Sequence, residues 1–391
     1  MKRIRLGMVG GGRRAFIGPA HRIAARLDDQ YELLAGALSA DPNRARESAQ
    51  DIGIAGDRSY SSFVEMAEFE SRRVDGIEVV SIVTPNDSHA EIAKAFLNRG
   101  IHVICDKPLV LTVEQGRELR EAAQASGCLV AVTYNYRGYP MVRQARAMCA
   151  EGVLGTLRAI DIEYLQDWLS TRIEAMGSKQ AVWRTDPHRT GGVGALGDIG
   201  IHGYDLCRYI TGLRVVSVCA ELTRFVEGRA VDDDVRASLQ FDTGAKGRLW
   251  ASQVAIGHAN DLSIRIYGDS GSLEWHQSNP SVLRHSTIGA STANLLAGGP
   301  GSSVAVTRSR LPAGHPEGYY EAFATVYSEI AQAIRALQRG DRAHIPDGLP
   351  DLGSGLEAVN FVAAAVKSNA AGNVWKTVDT TDGCAYAPLR P

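Results

Sequence analysis

The chain has 391 residues, 45% of them hydrophobic, and 42 basic against 44 acidic side chains leave a net charge of −2. That length and apolar content suffice for two domains with separate cores. The balanced, dispersed charge excludes a basic nucleic-acid-binding tract and an acidic interaction tail. The six cysteines are scattered with no C-x-x-C pair, which argues for a reducing compartment and against a disulfide framework or a structural zinc site. Met1-Lys2-Arg3 leads directly into a strand pattern, and no apolar run is long enough to span a bilayer, so a cytoplasmic protein off the membrane is expected.

The first third alternates strand and helix. Short apolar runs at Ile4–Val9, Tyr31–Leu38, Gly76–Val83, Ile101–Cys105 and Cys128–Thr133 predict strands covered on both faces. Helical patterns at Pro42–Asp51, Ser61–Ala67, Ser88–Arg99 and Val113–Ala125 lie between them, the last opened by a Thr112/Gln115 capping box. This rhythm predicts a doubly wound parallel sheet, a Rossmann-type dinucleotide-binding domain over residues 1–137.

Gly10-Gly11-Gly12-Arg13-Arg14-Ala15 matches G-x-G-x-x-A directly after the first strand. Glycines there let the backbone approach a pyrophosphate, which the next helix N-terminus attracts; an ordinary glycine turn is the competing reading. Ser39 ends the second strand where an acidic residue would hold the ribose of NAD, while Asp41 suits the cap of the next helix. Ser39 does not repel a 2′-phosphate, and Arg13, Arg14 or Arg44 could pair with one. The cofactor expected is therefore NAD or NADP, with a lean to NADP or dual use. Thr84-Pro85-Asn86 follows a strand and His89 opens a helix, so these too face the expected crevice, although His89 equally suits a helix-start hydrogen bond.

Cys105-Asp106-Lys107-Pro108 closes another apolar strand. Pro108 restricts the lysine backbone, and a fixed ammonium at a strand's carboxyl end can stabilise a developing alkoxide.

After about Arg137 the pattern changes to alternating runs at Leu157–Leu165, Val215–Phe225, Val235–Phe241, Gly247–Val254 and Leu262–Tyr267. They predict an α+β domain over residues 138–391 with a large, mostly antiparallel sheet, serving substrate binding and oligomerisation. Leu249 and Ala251 are candidates for an outward apolar patch that a second subunit covers. Gly289–Gly301 reads as a surface loop or flap, and helices at Tyr319–Leu337 and Gly353–Ser368 close the pattern, the second able to pack back on the first domain.

Asp198 and His202 are four residues apart, on one face if Asp198 opens a helix. Histidine titrates near neutrality and suits moving a hydroxyl proton. A helix-start aspartate with a structural histidine is the rival, and metal ligation lacks further ligands; no metal is expected. Trp168 and Trp183 suit the apolar face of a ligand, and Gln166, Asp167 and Arg184 its polar groups, unless both tryptophans belong to the core. Tyr136 is a further substrate-side candidate. Gly314-His315-Pro316-Glu317-Gly318-Tyr319 reads as a turn and helix start that could also close over substrate.

These motifs together resemble the glucose–fructose oxidoreductase/inositol dehydrogenase/rhizopine-catabolism family over nearly the whole chain, with Asp106 in place of its commoner glutamate. The resemblance implies that Lys107 orients substrate and nicotinamide, that His202 is the general acid/base, and that Asp198 holds substrate or tunes the histidine. Tyr164-Leu165-Gln166-Asp167-Trp168 and Trp183-Arg184 resemble the levoglucosan dehydrogenase branch. The implied activity is NAD(P)-dependent oxidation of a secondary hydroxyl on a sugar, anhydrosugar, glycoside or cyclitol, in a homodimer or homotetramer. A cofactor-binding regulator that kept the fold and lost the chemistry is the alternative.

Overall fold

The computed structural model describes residues 2–380. The early apolar runs form β1 (Ile4–Gly10), β2 (Tyr31–Ala37), β3 (Val79–Val83), β4 (His102–Cys105) and β5 (Val130–Val132). Among the described residues they make one sheet in the order β2-β1-β3-β4-β5, every pairing parallel. β3 is buried along its whole length, which is why it reads as an unbroken Val/Ile run. The strand order reverses between β1 and β3, and such a switch point opens a ligand crevice beyond the strand carboxyl ends.

Helices Gly18–Leu27, Pro42–Asp51, Phe63–Arg72, His89–Leu97 and Val113–Ser126 connect these strands. Their starts are written in the sequence. Asp41 caps the second by accepting from the Arg44 N–H at 2.8 Å, and Thr112 caps the last by accepting from the Gln115 N–H at 3.1 Å.

The chain folds as two compact units. One contains the residues up to Asn135 together with Phe323–Gly355; the other contains Tyr136–Ala322 and the chain from Leu356 onward. The return of 323–355 to the first unit was not legible in the sequence. The helix expected to pack back on the first domain, 353–368, is Leu352–Ala370; it belongs to the first unit as far as Gly355, where an added Cβ would meet Leu109 at 2.6 Å and Val132 at 2.9 Å. From Phe323 the helix Tyr319–Gln338 is the one that builds that core. Tyr327 sits at its centre, its hydroxyl 2.8 Å from His21 Nδ1 and its carbonyl accepting from the Tyr31 hydroxyl at 2.8 Å.

The second unit carries β6 (Leu157–Leu165), β7 (Val215–Thr223), β8 (Asp234–Phe241), β9 (Lys246–Ser252), β10 (Asp261–Gly268), β11 (Gly271–His276), β12 (Val282–Thr287), β13 (Ala293–Leu296) and β14 (Lys376–Thr377). Among the described residues these form one sheet in the order β13-β12-β11-β10-β6-β9-β8-β7-β14. Only the β6–β9 pairing is parallel. The segment expected as a flap, Gly289–Gly301, is corrected: it contains β13, which pairs with β12.

One face of this sheet packs on the helix Ile201–Thr211. A Cβ added at Gly203 would lie 2.8 Å from Ile162 and 3.6 Å from Leu249, so the helix backbone lies close against the strands. Leu249 and Ala251 are therefore inward, at 1% and 0% exposed, and the expectation that they form an outward apolar patch is corrected. Alternation along β9 fixes this: the outward positions are Arg248 and Trp250. That opposite face is charged. Arg248, Asp161, Arg265, Glu274 and Arg284 stand directly opposite one another across β9, β6, β10, β11 and β12, signs alternating. Arg248 reaches Asp161 at 3.4 Å, Arg265 reaches Glu274 at 3.2 Å, and Arg284 reaches the same Glu274 at 2.9 Å. The His276 ring, 2.9 Å from Glu274 Oε1, together with the Arg284 and Arg265 guanidinium groups, holds the Glu274 carboxyl down at about 2.

Candidate active site

The first unit presents a cradle for a dinucleotide. Gly10 and Gly11 lie at φ 81° and 74° at the carboxyl end of β1. A Cβ on Gly10 would meet the Val83 carbonyl oxygen at 2.8 Å, and one on Gly12 would meet Leu38 O and Ser48 Oγ, both at 2.7 Å. Only glycine fits such a turn. The helix begins at Gly18, later than the G-x-G-x-x-A spacing implied, so Ala15 stays in the loop. Gly18 takes the close-packing place: its Cβ would fall 2.5 Å from Gly11 Cα. The helix start has no side-chain cap and no acidic residue in its first turn, which leaves its N-terminal dipole to a ligand. A pyrophosphate fits this cradle.

The arginines around it differ in their engagements. Arg13 is tied to Asp51 at 2.6 Å and to Glu47, which holds it against the helix Pro42–Asp51. Arg14 and Arg44 have exposed side chains. Ser39 Oγ accepts from the Asp41 N–H at 3.1 Å, and Asp41 is engaged in capping.

The loops after β3 and β4 are joined. His89 Nδ1 lies 2.8 Å from the Pro108 carbonyl and Nε2 lies 2.9 Å from the Thr84 carbonyl. Both ring nitrogens face backbone oxygens and the residue is fully buried, so His89 fastens the Thr84-Pro85-Asn86 loop to the Lys107-Pro108 loop. Thr84, Pro85 and Asn86 are half-buried at the crevice end of β3. Asp106 Oδ1 accepts the Lys107 N–H at 2.8 Å and the Thr133 hydroxyl at 3.0 Å, fixing the backbone from which Lys107 extends. Beneath it His21 Nε2 stands 4.0 Å from Asp106 Oδ2. Burial pushes the His21 pKa down to about 4, so its ring is neutral at physiological pH.

In the second unit Asp198 lies in a wide π-type turn, Leu196–Gly200, which runs straight into the helix Ile201–Thr211 carrying His202. Such turns recur at functional sites. Asp198 Oδ2 accepts from Gln253 Nε2 at 2.8 Å and pairs with Arg184 Nε at 3.3 Å. Arg184 in turn lies over the Trp183 ring at 4.2 Å and the Trp168 ring at 5.8 Å. Neither tryptophan is in the core; both are half-buried.

His202 is 8% exposed and meets the Tyr136 ring edge-on at 5.0 Å. Tyr164 stands 6.2 Å from His202, and Tyr319 stands 6.4 Å from Tyr136. The two buried phenols share a hydrogen bond of 2.6 Å, and burial raises the pKa of each, keeping them as neutral hydroxyls. A string of amides continues from them. Asn260 Oδ1 accepts from Tyr164 at 2.8 Å and from Gln166 Nε2 at 2.7 Å, and Gln166 Oε1 accepts from Trp168 Nε1 at 2.9 Å. The second unit thus gathers Tyr136, Gln166, Trp168, Trp183, Arg184, Asp198 and His202 into one connected set.

Sequence reading missed Gln253, Asn260 and Gln277, which carry no motif and reach the set only through the sheet. Asn260 Nδ2 donates to Gln277 at 3.3 Å. Among the described residues no group of His, Cys, Asp and Glu gathers to hold a metal, and no helix is long and apolar enough to cross a membrane.

Comparison with known proteins agrees with both units. Residues 4–134 match the oxidoreductase family with an NAD-binding Rossmann fold, and residues 142–274 match the GFO/IDH/MocA C-terminal domain. The oxidoreductase YfiI of Bacillus subtilis is 36% identical over 379 residues, 96% of each chain. Levoglucosan dehydrogenase of Pseudarthrobacter phenanthrenivorans is 31% identical over 73% of this chain and 76% of its own. The inositol dehydrogenase homolog of Azotobacter vinelandii, solved with NAD+, is 37% identical with a TM-score of 0.92 over 96% of this chain and 97% of its own. The same homolog was solved with NADH and myo-inositol, at a TM-score of 0.90 over 96% and 98%. The chain belongs to the GFO/IDH/MocA family and is an NAD-binding oxidoreductase.

Proposed function

We propose that this protein oxidises a secondary hydroxyl of a sugar, anhydrosugar, glycoside or cyclitol, and reduces the matching ketone in reverse. The observation that carries this reading is the set around His202. One edge is a neutral hydroxyl and amide string, Tyr136–Tyr164–Asn260–Gln166. The other is the Arg184–Asp198 pair beside two half-buried indoles. Hydroxyls and amides recognise a polyol by exchanging donors and acceptors, and indoles cover the C–H faces of its ring.

The roles follow from the chemistry. A nicotinamide held by the first unit would supply the hydride acceptor. His202 takes the hydroxyl proton, Asp198 holds substrate or tunes the histidine, and the Lys107 ammonium would stabilise the developing alkoxide. Gly10, Gly12 and the helix start at Gly18 would hold the pyrophosphate. Ser39, Arg14 and Arg44 would lie toward the adenosine ribose, and the lack of a carboxylate at Ser39 to reject a 2′-phosphate supports use of NADP beside NAD. Assembly as a homodimer or homotetramer and a cytoplasmic location complete the proposal.

A panel of inositols, pyranoses and anhydrosugars assayed by NAD(P)H absorbance, with each cofactor in turn, tests it. Turnover on at least one polyol is expected. Saturable cofactor binding with no turnover across the panel, in either direction, would favour the non-catalytic alternative.

A further inference from the structure

Asp232-Asp233-Asp234 is a run of three acids, each buried, at 5%, 0% and 4% exposed. Burying carboxylates is costly unless each finds partners, and the three find different ones. Asp233 accepts from the Phe225 and Val226 N–H groups at 2.8 and 3.0 Å and pairs with Arg229 at 3.1 Å. Asp234 accepts from Trp250 Nε1 at 2.9 Å, on the outward side of the sheet. Asp232 faces the π-type turn. Its Oδ1 accepts from the Gly194 N–H at 2.7 Å and its Oδ2 from the Leu196 N–H at 2.8 Å, while its carbonyl accepts from the Ala195 N–H at 2.9 Å.

Three successive amides thus end on one residue. Gly194 is part of the fit: a Cβ there would fall 2.0 Å from the Asp232 carbonyl oxygen. Leu196 is the first residue of the turn that carries Asp198, and the helix with His202 follows without a break. Gln253 secures the other side, its backbone N–H donating to the Asp233 carbonyl at 2.8 Å and its side chain to Asp198. Burial pushes the Asp232 carboxyl up to about 6, against the pull of its two amide bonds.

We propose that Asp232 is a positioning residue for the reaction, its carboxylate fixing the turn from which Asp198 and His202 are presented. The inference rests on the reading of that pair as catalytic. Asp232→Asn keeps the volume but turns one acceptor into an NH₂ that confronts a backbone N–H. The turn must then shift, and a displacement of about 1 Å costs on the order of a hundredfold in rate.

The test measures kcat, substrate KM, cofactor Kd and melting temperature for Asp232→Asn, Asp234→Asn and His202→Ala. Asp232→Asn is expected to lose about 10–100-fold in kcat, with cofactor Kd unchanged and substrate KM moved far less than kcat. Asp234→Asn, an equally buried neighbour bonded to the outward Trp250, controls for lost stability and is expected to keep its kcat. If Asp232→Asn keeps wild-type kcat while His202→Ala is inactive, the positioning role is wrong and the catalytic reading stands. If His202→Ala is active, the catalytic reading itself fails. Should Asp232→Asn not fold, Asp232→Ser, which keeps one acceptor oxygen, is read instead, and wild-type kcat in it overturns the proposal.

Discussion

Gln253 donates its side-chain N–H to Asp198 Oδ2 at 2.8 Å, the same oxygen that Arg184 approaches at 3.3 Å. One carboxylate oxygen is therefore held from two directions by groups that are 55 residues away in one case and part of the indole-lined edge in the other. A hydrogen bond to a charged group contributes about 1.5–3 kcal/mol. Gln253→Leu should lower kcat by roughly tenfold or more on that scale, with cofactor affinity unchanged. Steady-state kinetics beside a fluorescence titration of NADH separate the two, and an unaltered kcat would show that Arg184 alone suffices.

His202→Ala should cut turnover by about 10²–10⁴, the range of a lost general base, and leave the cofactor Kd untouched. Lys107→Ala should lower turnover and also raise substrate KM. Retained turnover in folded His202→Ala would redirect attention to the buried phenol of Tyr136.

Gly12→Ala probes the first unit. The added Cβ meets the Leu38 carbonyl and Ser48 Oγ at 2.7 Å, and overpacking of this kind costs about 1–3 kcal/mol. Weaker NAD binding and a lower melting temperature are expected together. Calorimetric titration checks the first, and unchanged affinity would mean the turn is not the pyrophosphate site.

His21 makes stability depend on pH. Its ring is held neutral by burial, with the pKa lowered from 6.5 to about 4, whereas the unfolded chain protonates near the ordinary value. The unfolded state therefore binds more protons in that window. The stabilisation is complete above pH 6.5 and is lost as pH falls toward 4. Asp232, raised from 3.8 to about 6, works in the opposite sense over a similar window, so the comparison must be with a variant. Melting curves of wild type and His21→Gln should diverge in slope between those limits, the wild type falling faster. Parallel curves would remove His21 from the pH response.

The parallel sheet was legible because buried strands are continuous apolar runs, and the candidate catalytic residues because Lys107, Asp198 and His202 stand in compact motifs. What escaped reading did so for physical reasons. β11 and β12 present mainly Leu273, Trp275 and Leu283 inward, too few apolar positions to mark two edge-ward strands against charged alternates. Gln253 and Asn260 act through single amides, and a lone amide has no spacing to recognise. Leu249 and Ala251 lie on the opposite face from the one expected because alternation gives two sides without saying which one a helix covers. Gly203, whose missing Cβ leaves room for that helix, held the answer.

The alternating row Arg248–Asp161–Arg265–Glu274–Arg284 acts on a misfolding that the core cannot sense. A strand displaced by one residue turns its apolar side chains to water and is rejected at once. A displacement by two keeps every apolar side chain inward and costs the core little. It separates the charges instead: β12 shifted by two against β11 sets Arg284 opposite Ser272 or His276 rather than Glu274. Each opposed pair contributes only about 0.2–1 kcal/mol, yet Glu274 stands opposite Arg265 on one side and Arg284 on the other, so the alignment of β10, β11 and β12 is the one that satisfies both.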